Sequence, residues 1–130
     1  MGMEHRKLLG QLQPARSVLI VDDHPGFLRC AAALLAEEGF DVVGEAVDGA
    51  SALALAEGLA PELVLLDVQL PDLDGFEVAR RMLLANPQLQ IVLVSNRERS
   101  SYGPRIEASG VRGFVAKDDL SRAALEEVLA

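Results

Sequence analysis

The architecture of this chain follows from one segment, residues 63–75, with the sequence LVLLDVQLPDLDG. Four consecutive apolar residues lead into a single carboxylate, Asp67. A short apolar run of this kind predicts a strand buried on both faces, as in a parallel sheet. Because an ionised group is not tolerated inside such a strand, we expect Asp67 where the strand ends and solvent begins. In open α/β sheets, ligands bind at that position.

The residues that follow this strand predict a turn and then a helix. Pro71 and the cluster from Asp72 to Gly75 are typical turn residues. Asp74 is followed three residues later by Glu77, which is an acidic form of the capping box. We therefore expect a helix over residues 75–85.

The same alternation of strand and helix extends in both directions from this segment. Strands are predicted at residues 18–21, 40–45, 63–66, 91–94 and 113–116. A helix opens at Pro25, a second is capped by Asp48, and a last one covers residues 122–130 with Ser121 as its cap. Such alternation with short connections requires right-handed crossovers. The sequence therefore predicts a doubly wound α/β fold, with a five-stranded parallel sheet and helices on both faces.

Length, composition and charge limit the class of protein. The 130 residues suffice for one domain, which we place at residues 16–130 after a flexible N-terminal lead at residues 1–15. Twelve basic and twenty acidic residues give a formal net charge of -8, which argues against a nucleic-acid-binding surface. The sequence contains neither an apolar run of membrane-spanning length nor the apolar core of a signal peptide. We therefore expect a cytoplasmic protein that does not bind membranes. Cys30, the only cysteine, excludes an intrachain disulfide and is predicted to be a small core residue.

Polar side chains follow four of the predicted strands. They are Asp22 with Asp23, Asp67, Ser95 and Lys117. Since the carboxyl ends of parallel strands share one edge of the sheet, these groups are expected to meet in one crevice. Carboxylates that lie so close together repel each other by several kcal/mol per pair, so they require a cation. A site whose ligands are all oxygen atoms suits Mg²⁺. With a lysine charge and a serine hydroxyl added, the set would cradle a phosphoryl group, with Asp67 as the candidate nucleophile.

These residues, in this order, resemble the receiver domain of two-component response regulators. The resemblance covers residues 17–130 and includes Pro71 and Gly75 after Asp67. It implies a flavodoxin-like fold with strand order 2-1-3-4-5. It also implies that Asp67 accepts a phosphoryl group from the phosphohistidine of a sensor histidine kinase, as a regulatory domain rather than an enzyme acting on a separate substrate.

The resemblance further implies the residues that hold the metal and the phosphoryl group. Asp23, Asp67 and the backbone carbonyl of Gln69 would ligate Mg²⁺, and Asp22 would act through water. Ser95 and Lys117 would contact the phosphoryl oxygens.

By the same resemblance, Ser95 and Phe114 would form a switch. They would alter the face made by the fourth helix, the fifth strand and the last helix. His24 and Asp118 resemble the subgroup attached to helix-turn-helix outputs. The expected partners are a sensor kinase, an output domain or protein, and a second copy of the chain on phosphorylation. The chain is either a single-domain receiver or the receiver of a longer regulator.

The chain also departs from the family pattern after the fourth strand. Pro104 inside a helix would cost about 3 kcal/mol, so we expect a longer loop and a shortened helix that begins at Pro104. Asn96 replaces a small residue and is expected to restrict Phe114 or access to Asp67.

Three rival functions remain open at this point. A degenerate receiver would be a protein-interaction module that needs no phosphorylation. A phosphohydrolase with an aspartyl nucleophile is disfavoured, because Gln69 stands where such enzymes carry a second aspartate. A flavin or nucleotide carrier is disfavoured because no glycine-rich phosphate loop follows the first strand. Taken singly, each strand-end residue also fits a plain turn, cap or surface role.

Overall fold

A computed structural model describes residues 16–130 and shows a five-stranded parallel sheet flanked by helices. The strand order is β2-β1-β3-β4-β5, which confirms the predicted topology. The strands are β1 (Ser17–Val21), β2 (Asp41–Ala46), β3 (Leu63–Asp67), β4 (Gln90–Ser95) and β5 (Gly113–Ala116). The helices are α1 (Pro25–Glu37), α2 (Gly49–Leu59), α3 (Gly75–Ala85), α4 (Arg105–Ala108) and α5 (Arg122–Leu129). The predicted lead at residues 1–15 lies outside the described residues.

The central strand β3 is buried along its whole length. Its alternate residues point to opposite faces of the sheet, and each face carries its own apolar cluster. One cluster joins Val64 and Leu66 to α2, α3 and α4, and the other joins Leu63 and Leu65 to α1 and α5. A strand between two helical layers needs apolar residues at every position, which explains the uninterrupted run in the sequence.

The helix caps predicted at Asp48 and Ser121 are present. The Asp48 side chain accepts a hydrogen bond from the amide of Ser51, at 2.8 Å, and the Ser121 hydroxyl accepts one from the amide of Ala124, at 3.1 Å. The predicted β2 is displaced by one residue, since the strand covers Asp41–Ala46 rather than residues 40–45.

The capping box predicted at the start of α3 is wrong. Asp74 does cap the helix, accepting from the amide of Phe76 at 2.7 Å. Glu77 does not reach back to the cap, because its carboxylate accepts hydrogen bonds from Arg80 and Arg81 at 2.6 and 3.0 Å. These guanidinium groups lower the pKa of Glu77 to about 2.

Gly75 lets α3 begin directly against the end of β3. A Cβ atom at this position would lie 2.5 Å from the carbonyl oxygen of Asp67 and 2.6 Å from the Cα atom of Val68. Because backbone atoms cannot give way cheaply, a side chain here would displace the strand end that carries Asp67.

The helix after β4 is short, as predicted. Only Arg105–Ala108 form α4, after a 3₁₀ turn at Arg99–Ser101. Pro104 lies just before the helix rather than at its first position, and its carbonyl accepts from the amide of Ala108 at 3.1 Å. Gly103 precedes it with a φ of +55°, so the chain is not helical there.

Cys30 is exposed, so its predicted place in the core is wrong. The buried stripe of α1 consists of Leu28, Ala31 and Leu35, at helical spacing. Cys30 lies on the other side of this stripe, where a small apolar residue meets solvent. Among the described residues, no helix is long and apolar enough to cross a membrane.

Candidate functional site

The carboxyl edge of the sheet brings the predicted residues together. Asp67 is the last residue of β3, Ser95 is the last residue of β4, and Lys117 directly follows β5. Asp22 directly follows β1, and its amide donates to the carbonyl of Ala46 on β2 at 2.9 Å. Strand pairing therefore holds the backbone of these groups at one edge of the sheet.

Four potential metal ligands converge at this edge. Asp22, Asp23, His24 and Asp67 each offer one ligand atom, and these atoms lie within 4.8 Å of one another. Asp22 and Asp67 are buried, whereas Asp23 and His24 face solvent. Buried carboxylates on one side and open positions on the other suit a cation that keeps part of its water shell, as Mg²⁺ does.

Lys117 is the positive charge within this cluster. Its Nζ atom lies 2.6 Å from Oδ2 of Asp22 and donates to Oδ2 of Asp67 at 3.4 Å. The Lys117 side chain is 9% exposed, and its ammonium group sits 4.7 Å from the ring centre of Phe27. The contact with Asp22 is a charge pair without hydrogen-bond geometry, so that buried oxygen keeps an unused acceptor position.

Asp22 is also held from the opposite side. Its Oδ1 atom accepts from the amide of His24 at 2.8 Å, and Nδ1 of His24 lies 3.0 Å from the same oxygen. Nδ1 of His24 lies 3.1 Å from Oδ1 of Asp23. The family resemblance implies that Asp22 is a water-mediated ligand, and the structure adds its direct contact with Lys117.

Asp67 is a carboxylate that is costly to ionise in the absence of a divalent cation, even with Lys117 beside it. Burial raises its pKa, and the nearby charge of Asp22 raises it further. The amide of Gln69, which donates to Oδ1 of Asp67 at 3.1 Å, and the Lys117 ammonium partly oppose this rise. A carboxylate in this environment gains more from a divalent cation than an exposed one does.

The loop after β3 is anchored by Asp72, which was not singled out from the sequence as a site residue. The Asp72 carboxylate accepts from the amides of Gly49 and Ala50, at 2.7 and 3.0 Å, at the start of α2. These backbone donors lower the pKa of Asp72. The loop that carries Gln69 is thereby tied to a neighbouring helix, and only the fold brings these segments together.

The predicted switch residues lie in a buried aromatic cluster. The hydroxyl of Ser95 is fully buried, shares a hydrogen bond of 2.5 Å with the hydroxyl of Tyr102, and accepts from the amide of Arg97 at 3.0 Å. Phe114 is 8% exposed, with its ring centre 5.7 Å from that of Tyr102. Asn96 is exposed. Sequence analysis predicted Ser95 and Phe114 but gave Tyr102 no role.

Known proteins match this sequence over most of the chain. The family model of the response regulator receiver domain matches residues 18–130. The response regulator GacA of Pseudomonas aeruginosa is 36% identical over 113 residues, which are 86% of this chain and 51% of that protein. BvgA of Bordetella pertussis, named as a transcription regulator of virulence factors, is 37% identical over 102 residues, 78% of this chain and 49% of that protein.

A solved structure extends the match to three dimensions. The signal receiver domain of the response regulator NarL from Mycobacterium tuberculosis is 31% identical, with a TM-score of 0.75. The alignment covers 90% of this chain and 99% of that one.

The fold and the relatives together define a signalling module of two-component systems. The chain belongs to the response regulator receiver domain family. It has a regulatory role in two-component systems, and it spans about half the length of the curated relatives it matches. Receiver domains bind Mg²⁺ through acidic residues, and the cluster of Asp22, Asp23 and Asp67 has the composition for it.

Proposed function

We propose that Asp67 accepts a phosphoryl group from the phosphohistidine of a sensor histidine kinase. The observation that carries the proposal is the convergence of Asp22, Asp23 and Lys117 on this single buried carboxylate. In the transfer, an Oδ atom of Asp67 forms a bond to phosphorus while the phosphorus–nitrogen bond breaks. The electron pair of the broken bond returns to the imidazole ring of the kinase. The domain catalyses only this transfer and the later hydrolysis at Asp67, and it has no separate substrate.

The residues present fit a bound Mg²⁺. Asp23, Asp67 and the carbonyl of Gln69 would hold the ion, with Asp22 acting through water. When bound, Mg²⁺ supplies positive charge against the phosphoryl oxygens and the carboxylates. Lys117 then binds a phosphoryl oxygen, because its ammonium group already lies beside Asp67.

Phosphorylation then shifts the domain between two conformations. It adds nearly two negative charges beside Asp67. Ser95 and Lys117 move toward the new oxygens, and Phe114 follows, which alters the face made by α4, β5 and α5. Driving such an equilibrium from about 1:99 to 99:1 requires roughly 5.5 kcal/mol of differential interaction, which a few charge-assisted hydrogen bonds supply.

The relatives support a proposal for the partners of the module. We infer that residues 16–130 act in the cytoplasm as the receiver of a transcription regulator, since relatives about twice as long carry that name. The output, and not this acidic domain, would bind nucleic acid. A homodimer that forms on phosphorylation would use the face of α4, β5 and α5. The four-residue α4 favours one alternative, a degenerate receiver that binds partners without phosphorylation.

The test is an NMR titration with beryllium fluoride and Mg²⁺, which together mimic the phosphoryl group. We expect backbone amide shifts at residues 67–69, 95–97 and 113–117 of the wild-type protein. Asp67→Asn should abolish them, whereas Asp119→Asn, which changes an exposed aspartate outside the cluster, should leave them intact. An unchanged wild-type spectrum over residues 95–125 would contradict the switch and support the degenerate receiver.

A further inference from the structure

Tyr102 is a buried polar residue that the proposed phosphotransfer does not use. It follows the 3₁₀ turn after β4 and is 9% exposed. Its hydroxyl has one hydrogen-bond partner among the described residues, the hydroxyl of Ser95, at 2.5 Å. Because a buried hydroxyl without a partner is costly, this contact favours the arrangement of the loop seen here.

The tyrosine ring is held in place by other aromatic rings. Its centre lies 5.6 Å from that of Phe76 in an edge-to-face arrangement, and 5.7 Å from that of Phe114. Arg105 covers Phe76 at 4.2 Å and pairs with Asp74 at 3.0 Å. The phenol is therefore a fixed partner for Ser95 rather than a mobile one.

Both hydrogen bonds that the Ser95 hydroxyl makes among the described residues lead to this loop. A serine hydroxyl has one proton and two lone pairs. The amide of Arg97 donates to the Ser95 oxygen at 3.0 Å, and Tyr102 takes the second position. Within residues 16–130, no hydrogen bond joins Ser95 to Asp67 or Lys117. The groups that Ser95 contacts are thus not those that it needs when a phosphoryl group is present.

We propose that Tyr102 is a positioning residue that holds Ser95 in the unphosphorylated arrangement. When Ser95 turns away from this loop to bind a phosphoryl oxygen beside Asp67, the two hydroxyls separate, and Tyr102 loses its buried partner. Tyr102 thereby sets the balance between the two conformations, a role that Phe114, which has no hydroxyl, cannot fill. This inference rests on the proposed phosphorylation of Asp67 and on the contact between that group and Ser95.

The test removes one oxygen atom and keeps the ring. Tyr102→Phe should bind beryllium fluoride with Mg²⁺ about threefold to tenfold more tightly than the wild-type protein, which is the range expected for one hydrogen bond. Apparent Kd values come from the NMR titration. In a Ser95→Ala background the same change should have no effect, because the partner is already absent. A packing role for Tyr102 would instead give the same change in both backgrounds.

The chain offers a second readout that reports on the same contact. Tyr102 is the only tyrosine, and there is no tryptophan, so the intrinsic fluorescence comes from this residue alone. Saturating beryllium fluoride and Mg²⁺ should change the emission of the wild-type protein. Ser95→Ala should already show an altered emission without ligand, and a smaller further change.

The outcomes separate the two proposals. If the wild-type protein binds neither beryllium fluoride nor phosphoryl groups, the function proposed for Asp67 fails, and the role of Tyr102 fails with it. If the wild-type protein binds normally but Tyr102→Phe binds equally or less tightly, only the role of Tyr102 is overturned. If the wild-type protein binds beryllium fluoride with Mg²⁺ but its tyrosine emission does not change at saturation, again only the role of Tyr102 is overturned.

Discussion

Lys117 is the residue on which the charge balance of the site depends. Its ammonium group is the only cation within 4 Å of Asp67, among the described residues, and it also contacts Asp22. All three side chains are at least nine-tenths buried. A charged carboxylate that is buried in a low-dielectric interior without a positive partner destabilises the folded state. Removal of this one ammonium group therefore affects both Asp22 and Asp67.

We therefore expect Lys117→Met to lower the free energy of unfolding by about 3 kcal/mol or more without Mg²⁺, as for other broken buried ion pairs. Chemical denaturation in the presence of a chelator measures this loss. In an Asp22→Asn background the loss should be clearly smaller, since one unpaired carboxylate is then neutral. An equal loss in both backgrounds would contradict the charge explanation.

The raised pKa of Asp67 has a defined consequence for stability. A carboxyl group whose pKa is higher in the folded state than in the unfolded state binds its proton more tightly when folded. Its ionisation therefore costs stability at neutral pH, and this cost disappears as the pH falls through the folded-state pKa toward the unfolded value.

Asp67→Asn should accordingly have a higher Tm than the wild-type protein at neutral pH without Mg²⁺. The difference should shrink on acidification, because the wild-type carboxyl group then becomes neutral. Thermal unfolding monitored by circular dichroism over a pH series tests this, with Asp119→Asn as an exposed control. A difference that grows on acidification would contradict the assignment.

The places of the candidate site residues at the strand ends were predictable from sequence, but their contacts with distant parts of the chain were not. The strand-end position of Asp67, Ser95 and Lys117 was predictable because each residue directly follows an apolar run in the sequence. The contact of Ser95 with Tyr102 depends on an irregular loop that has no periodic pattern. The prediction for Cys30 was wrong because an apolar helical pattern does not by itself decide whether a small residue beside the buried stripe is buried or exposed.

At the scale of the elements, the start of α2 is completed by a residue from another segment. Asp48 caps the helix from within, and Asp72 adds two acceptors from the loop after β3. Since Asp72 has a lowered pKa in the folded state, its contribution to stability is present above the unfolded-state pKa. That contribution is lost as the pH falls through the lower, folded-state value.

Asp72→Ala should therefore lower the Tm at neutral pH, and its deficit relative to the wild-type protein should shrink in acid. The removed acceptors leave the amides of Gly49 and Ala50 without partners, so their hydrogen exchange should accelerate. Asp119→Ala serves as the control. Unchanged exchange at both amides would show that the loop does not support the helix.

The groups next to each helix start explain which of these starts were predicted correctly. The short α4 was predictable because a proline acts through its own covalent geometry. The capping box at α3 failed because Glu77 has two arginines one turn further along, and a charged partner displaces a backbone amide. Residue type therefore predicted where helices begin, while the contacts at their ends were decided by neighbouring charges.

For the molecule as a whole, the sheet converts sequence order into a single site. Parallel strands in the order β2-β1-β3-β4-β5 place four strand ends at one edge, so residues 95 positions apart in the chain, Asp22 and Lys117, are in contact. Fold class and edge were predictable from alternation alone. The chain spans about half the length of the curated relatives that it matches.

Mg²⁺ should stabilise the whole domain through this edge. A ligand that binds only the folded state adds about 2.7 kcal/mol to the free energy of unfolding at one hundred times its Kd. Asp23→Asn, which changes an exposed candidate ligand and removes no buried partner, should abolish most of this gain while leaving the stability without Mg²⁺ nearly unchanged. An unaltered Mg²⁺ effect in this variant would exclude Asp23 from the metal site.

The most direct measurement is the intact mass of the protein after incubation with a small-molecule phosphodonor and Mg²⁺. We expect one phosphoryl adduct on the wild-type protein, none on Asp67→Asn, and none when Mg²⁺ is omitted. Absence of an adduct under conditions that modify a known receiver domain, or an adduct that persists in Asp67→Asn, would contradict the assignment of Asp67 as the phosphoryl acceptor.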